Sequence, residues 1–162
     1  MKKFIILFSF LFTHVSLAQS ELYLLDEAKK IMLESKTCVL NTIDYKNGIS
    51  SRIMDPLLTN KGFIVFMVTN PSSRKVTEIK KNPNVALTFQ NDNGYITLKG
   101  KVLLINDLNE KIKYWKNSWT PFYKNKESSL LLKLVPVSLE IVNPDAEIFG
   151  DPKTWSPKKI IL

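Results

Sequence analysis

The chain predicts a mainly β protein, a small closed or half-closed barrel with peripheral helices, and three observations carry that prediction. Roughly five or six short runs rich in Val, Ile, Leu and Phe follow one another in meander order, each bounded by turn residues. Between them lie only short stretches with the apolar period of a helix. No internal repeat, low-complexity tract or interdomain linker divides the sequence, so residues 19–162 are expected to form a single domain with a core of its own.

The first residues stand apart from that domain. Met1-Lys2-Lys3 is a positive start, Phe4 to Phe12 is an apolar core, and Ser16-Leu17-Ala18 is a small-residue cleavage site before Gln19. The apolar core is shorter than the roughly 20 residues that span a bilayer. Residues 1–18 therefore read as a signal peptide, with export to the periplasm or medium and no stable membrane insertion after cleavage; an uncleaved anchor is the alternative. The intact mass of the exported protein decides between them.

Glu21 to Ser35 places Leu22, Leu25, Ala28, Ile31 and Met32 at helical spacing with charges between, an amphipathic helix that needs a surface to pack on. Thr37 to Asp44 reads as a strand, Tyr45-Lys46-Asn47-Gly48 as a hairpin turn with Asn-Gly as its strongest signal, and Ile49 to Met54 as the returning strand, which carries Arg52. Asp55-Pro56 ends it.

Gly62 to Thr69 is a continuous apolar run, short enough for a buried strand. Asn70-Pro71-Ser72-Ser73 breaks it and opens a helix with Val76 and Ile79 on its apolar face, which stops at Asn82-Pro83; Asn84 to Gln90 follows as a strand. Arg74 and Lys75 fall in the first turn of that helix, where backbone N–H groups are unpaired and the macrodipole is positive, so two cations there oppose the helix end. A bound anion reverses the sign, and exposed N–H groups, two cations and serine hydroxyls are what a phosphate needs. From these residues alone, a phosphate site and a solvated basic turn are equally open.

Asn91 to Gly94 is a further turn. Tyr95 to Ile105 alternates for long enough to be one strand, with Gly100 marking a bulge or the close approach of another chain, which would favour a dimer. Asp107 suits the N-cap of a helix through Asn117, and Trp115, Trp119, Phe122 and Tyr123 then crowd one segment, as core, as interface or as the wall of a flat ligand. Ser128 to Val142 is apolar and β-rich but interrupted by Pro136, which implies a final strand or pair of strands with one edge free. Gly150 to Pro157 is a turn-rich tail.

Composition excludes several chemistries. The formal charge is +8, two units of which belong to Lys2 and Lys3, which leaves +6 beyond the signal; the remaining Lys-Lys pairs are scattered rather than striped, so no nucleic acid partner is expected. Cys38 is the single cysteine, so no internal disulfide forms, and within Thr37-Cys38-Val39-Leu40 it reads as a small buried hydrophobe. The single histidine, His14, lies in the signal, which leaves residues 19–162 without a His-based triad, His-ligated zinc or His-ligated haem. No metal is expected.

With these residues in place, the chain resembles the pyridoxamine 5′-phosphate oxidase-like, FMN-binding split-barrel superfamily, and within it the general stress protein 26 type. The resemblance runs from Leu22 to about Val142. Its marks are Gly48 followed by Arg52 and Met54, then Val68-Thr69-Asn70, Ser73-Arg74-Lys75, Ile79 and Asn82-Pro83, and further on Tyr95 to Gly100, Trp115 to Pro121 and Leu132 to Pro136. It implies a split β-barrel of the FMN-binding type, a homodimer with an FMN in each of two clefts at the interface. Arg52, Arg74 and Lys75 would hold the phosphate, Thr69 and Ser73 would add hydrogen bonds, and Arg52, Ile53, Met54, Asp55 and Val68 would line the flavin with their backbone. Tyr95 and the segment around Trp119 would face a cleft, that of the same chain or of the partner.

The sequence departs from the vitamin-forming oxidases of that superfamily. Pro56, Leu57 and Leu58 stand where those enzymes carry a lysine, Tyr95 stands for a glutamine near the flavin, and the tail offers no counterpart to their substrate-holding arginine and histidine. Pyridoxamine phosphate oxidation is therefore not implied. Two flavin readings follow: an FMN-dependent oxidoreductase with an unspecified small-molecule electron donor or acceptor, its electron chemistry supplied by the cofactor, and a non-catalytic module that binds flavin in storage, sensing or a stress response. A third reading, haem handling, has the missing histidine against it and would need Tyr or Met ligands.

Overall fold

The computed structural model describes residues 21–162, so the signal peptide expected at residues 1–18 lies outside the described residues. The opening helix α1 covers residues 21–34. The strands are β1 (Cys38–Ile43), β2 (Ile49–Met54), β3 (Leu57–Leu58), β4 (Val65–Thr69), β5 (Asn84–Gln90), β6 (Tyr95–Ile105), β7 (Leu130–Val142) and β8 (Lys158–Ile161); the later helices are α2 (Arg74–Lys81) and α3 (Leu108–Lys113), with 3-10 turns at Asn117–Phe122 and Pro144–Ala146. No described helix is long and apolar enough to cross a membrane.

The strands form one antiparallel sheet in the order β2-β1-β5-β6-β7-β4-β3, with β8 added on β7. The meander expectation holds for β1 with β2 and for β5 to β7, but fails for β4. That strand pairs with β7, Met67 opposite Leu132, and with the two-residue β3, but not with β5, which follows it in the chain. The sheet curls round one core of Leu40, Leu87, Phe89, Leu98, Leu132 and Leu139, all 0% exposed, and it does not close. β2 and β3, adjacent in the chain, lie at opposite ends of the strand order with no ladder between them, which makes the barrel split.

Local chemistry accounts for the elements. In the β1–β2 turn Asn47 takes φ +64°, and Asp44 accepts hydrogen bonds from the N–H groups of Lys46 and Gly48 at 2.7 and 2.8 Å. β4 is buried along its whole length because both its faces are covered: Val65 and Met67 enter the barrel core, whereas Phe66 and Val68 lie with Trp119 and Leu131 in a second cluster on the outside. That cluster is roofed by Tyr114, stacked on Phe66 at 3.9 Å, and by Trp115, edge-on to Trp119 at 5.7 Å.

Several boundaries differ from the sequence reading. The strand expected from Gly62 begins at Val65, since Gly62 adopts φ +59° in a turn. Asp107 does cap α3, accepting from Glu110 N, but the helix ends at Lys113 and the aromatic segment becomes a separate 3-10 turn. Pro136 does not interrupt β7: it stands opposite Gly100 at the bulge, between the stretches of β7 that pair with β4 and with β8, where its missing N–H breaks no ladder bond. β3 and β8 are too short or too charged to show a period of their own.

Candidate functional site

Four chain segments meet where the sheet is split: the end of β2 with Asp55, the end of β4, the start of α2 and the 3-10 turn at Asn117–Phe122. They enclose a cavity of about 270 Å³ lined by Ile53, Met54 and Asp55, Val68 and Thr69, Lys75, and Trp119, Phe122 and Tyr123. Phe122 and Tyr123 belong to the aromatic crowd that the sequence left open as core, interface or the wall of a flat ligand, and they line this cavity.

The polar side of the cavity is built from the α2 terminus. Ser73 is the N-cap by position yet makes no side-chain capping bond to the helix. Its hydroxyl lies 3.1 Å from Thr69 Oγ1, which also accepts from Lys75 Nζ at 3.0 Å. The first turn contains no acid and begins with Arg74 and Lys75, so the helix dipole and both cations add positive charge there, with Glu78 one turn further on as the nearest carboxylate. Burial, followed by the neighbouring Arg52 charge, pushes the Lys75 ammonium below its ordinary pKa.

Arg52 reaches the same place from inside the barrel. It faces Leu40 across the β1–β2 ladder, which points it under α2. There its Nη1 donates to Thr42 Oγ1 at 2.5 Å and its Nη2 to Glu78 Oε2 at 2.7 Å, leaving the other three guanidinium N–H groups for further partners. Thr42 also donates to Glu78 Oε2 at 2.5 Å. Burial would raise the Glu78 carboxyl, but the hydrogen bonds from Thr42 and Arg52 and the Arg52 charge outweigh it and hold the group below its ordinary range.

Thr42 and Glu78 escaped the sequence reading for different reasons. Glu78 stands four residues after Arg74 on the same helix, a pairing signal that was present. Thr42 meets Arg52 only through the β1–β2 register, which no local pattern reports.

Asp55 latches the aromatic wall. Lys116 Nζ contacts its Oδ1 and also donates to Pro56 O at 3.1 Å, and Ser118 Oγ donates to Oδ2 at 2.7 Å, so both carboxylate oxygens are engaged. Trp119 packs behind this latch, 3% exposed, with its indole N–H buried and without an acceptor. Cys38, buried as the sequence implied, has its thiol pushed up to about 12 by burial and then by the Asp55 charge, so it is inert as a nucleophile.

The structure thus brings Ile53, Met54, Asp55, Val68, Thr69, Lys75 and Trp119 into one cavity. Ser73 joins them through Thr69 and Arg52 by its charge on Lys75, while Arg74 projects from the helix end, 76% exposed. Tyr95 stands apart: it is opposite Gln90 and Val142 at the start of β6 and points outward, so it does not line the cavity of its own chain. Among the described residues no group of three His, Cys, Asp or Glu side chains is placed to hold a metal.

Comparison with known proteins agrees with this architecture. General stress protein 26 from Bacillus anthracis is 24% identical and superimposes with a TM-score of 0.69 over 86% of this chain and 99% of its own. A related protein from Clostridium acetobutylicum, of the pyridoxinephosphate oxidase family, is 18% identical with a TM-score of 0.71 over 86% and 95%. An F420 reductase shares the fold more distantly, 14% identical with a TM-score of 0.52 over 65% and 89%. Among curated proteins none matches the sequence. The family model described as pyridoxamine 5′-phosphate oxidase like matches residues 25–143, which takes in most of α1, the split sheet through β7 and the whole cavity, and the chain belongs to that family.

Proposed function

We propose that this protein binds FMN, with the phosphate at the start of α2 and the flavin along the cavity between β2, β4 and the aromatic turn. The observation that carries this reading is the convergence of Arg52, Arg74 and Lys75 with the Thr69 and Ser73 hydroxyls at the rim of a cavity whose other walls are apolar and aromatic. The donor set fits a phosphate monoester, and Met54, Val68 and Trp119 fit a flat apolar ring system. Flavin binding is common in the family. When bound, FMN supplies the electron or hydride chemistry; Lys75, Arg74 and Arg52 hold its charged end, and the latched aromatic segment keeps water from the ring.

The proposal includes a homodimer. At this site one chain offers about 270 Å³, just below the roughly 300–1,000 Å³ of small-molecule pockets, so a second copy would supply the remaining wall. The outward sheet face carries Ile49, Ile53, Val137 and Ile161, between 52% and 78% exposed, which is an apolar surface fit for a partner. Tyr95 lies on the same outward side.

Turnover is a separate question, and one observation favours a binding module over an enzyme. The titratable side chains lining the cavity are Asp55, Lys75 and Tyr123. Asp55 has both oxygens engaged, burial raises the Tyr123 phenol, and Lys75 is bonded to Thr69 on the side assigned to the phosphate, so none of the three is left as an acid or base toward the flavin ring. Proton-coupled chemistry on a substrate would then rest on the substrate or the partner chain.

Titration by flavin fluorescence quenching tests the cofactor reading with FMN, riboflavin and the deazaflavin F420 side by side. Charge-assisted hydrogen bonds contribute roughly 1.5–3 kcal/mol each. Replacing Arg74 and Lys75 together by Ala is expected to weaken FMN binding by about two orders of magnitude and to leave riboflavin unchanged. Replacing Lys80 and Lys81, at the other end of α2, serves as the charge-matched control. Equal FMN affinity in both double variants would misplace the phosphate site; tighter binding of F420 would change the cofactor, and no binding of any flavin would end the proposal.

A further inference from the structure

Glu78 has a role in this site that the phosphate reading by itself does not assign. It lies one turn after Arg74 on α2, with 4% of its side chain exposed. Its Oε2 is saturated by Arg52 and Thr42. Its Oε1 lies 3.1 Å from Arg74 Nε, but the N–H is not aimed at it, so this buried oxygen has a charge contact and no hydrogen bond. The two arginines differ in what holds them: Arg52 is 16% exposed and tied by two hydrogen bonds, whereas Arg74 is 76% exposed and tied by none to Glu78.

A carboxylate and a phosphate offer a guanidinium the same acceptor chemistry. We propose that Glu78 is the resident counter-anion of the cation cluster, standing in for phosphate when no ligand is bound and ceding Arg74, but not Arg52, to the ligand. This inference rests on the phosphate reading and adds the regulation of its affinity. Three cations within one cluster repel one another: Lys75 is lowered first by burial and then by the Arg52 and Arg74 charges, while the Glu78 carboxylate acts in the opposite sense and makes their assembly tolerable in the free protein. Its charge also opposes every anion that enters, so it keeps phosphate binding weaker than the cations alone would make it. Arg52 stays tied to Glu78 and Thr42 and acts on the ligand by its charge from a fixed position.

Glu78→Gln keeps the shape of the side chain and an amide oxygen for Arg52 and Thr42, and removes only the charge. It is expected to bind FMN and inorganic phosphate about tenfold more tightly than the wild type at low salt, the effect of one unit charge over roughly 10 Å at an effective dielectric of about 20, with riboflavin unchanged. Thr42→Val, which removes a neutral partner of Arg52, is expected to give no such gain. On the wild-type protein, arginine side-chain NMR is expected to show the Arg74 Nε–H resonance moving on FMN addition while that of Arg52 stays. An E78Q variant that binds FMN no tighter, or a titration in which Arg52 moves and Arg74 does not, overturns the proposal; the NMR measurement decides if the variant fails to fold. Wild-type protein that binds FMN and riboflavin alike would instead bring down the phosphate reading itself.

Discussion

Lys75 carries a proton that its surroundings oppose, and this makes it a reporter for the site. Its folded pKa is depressed by burial and by Arg52, so between the folded and unfolded values the unfolded chain binds more protons and stability rises with pH. A dianionic phosphate beside Lys75 pushes that pKa back up. FMN binding at alkaline pH is therefore expected to take up a proton, and its affinity to fall as pH rises through the Lys75 value of the free protein. Calorimetry in two buffers of different ionisation enthalpy measures the uptake, and Lys75→Met should abolish it. Binding with no proton uptake at any alkaline pH would remove Lys75 from the phosphate.

At the scale of elements, the site depends on a sheet edge kept open and a long pair of strands kept in register. β6 and β7 supply that frame, and their register shifts between Lys99 and Gly100. A Cβ at Gly100 would lie 2.3 Å from Val135 O and 2.7 Å from Pro136 Cα, both backbone atoms that cannot swing aside. The close approach that the sequence marked at Gly100 is thus made by β7 of the same chain and gives no ground for a dimer. Gly100→Ala is expected to destabilise the protein by roughly 1–3 kcal/mol, the range for overpacking, read as a lower urea midpoint with unchanged slope. A midpoint equal to the wild type would mean that the bulge adjusts freely.

For the whole molecule the open question is how two chains would share the clefts. An interface able to complete them should bury well over about 1,200 Å² in total. Ile49, Ile53 and Val137 are positioned to be its apolar part. Light scattering at micromolar concentration is expected to give a dimer mass, and Ile49→Glu combined with Val137→Glu to give a monomer that retains its fold and loses most FMN affinity. A wild-type monomer that nonetheless binds FMN fully would leave the cleft to one chain and take Tyr95 out of it.

Much of this was legible in the linear sequence because it is written in local terms. Asn-Gly and Asn-Asp-Asn-Gly turns, the Pro71 and Pro83 boundaries, the Asp107 cap and the alternation of Tyr95 to Ile105 each depend on residues a few positions apart, and β2, β5 and β6 fall where those signals put them. The cation pair Arg74-Lys75 at the start of α2 was legible for the same reason, since a helix terminus is a local object. What lay beyond reach depends on which strands become neighbours. β4 crosses to β7 because its two apolar faces need cover on both sides, and that move opens the split where the cavity forms. Thr42, Glu78 and Arg52 meet only once the β1–β2 register and the seat of α2 are fixed, and Asp55 finds Lys116 and Ser118 across some sixty residues of chain. Sequence determined the elements and the cations; tertiary structure alone decided their partners, because hydrogen bonds and ion pairs depend on distances in space that no spacing along the chain encodes.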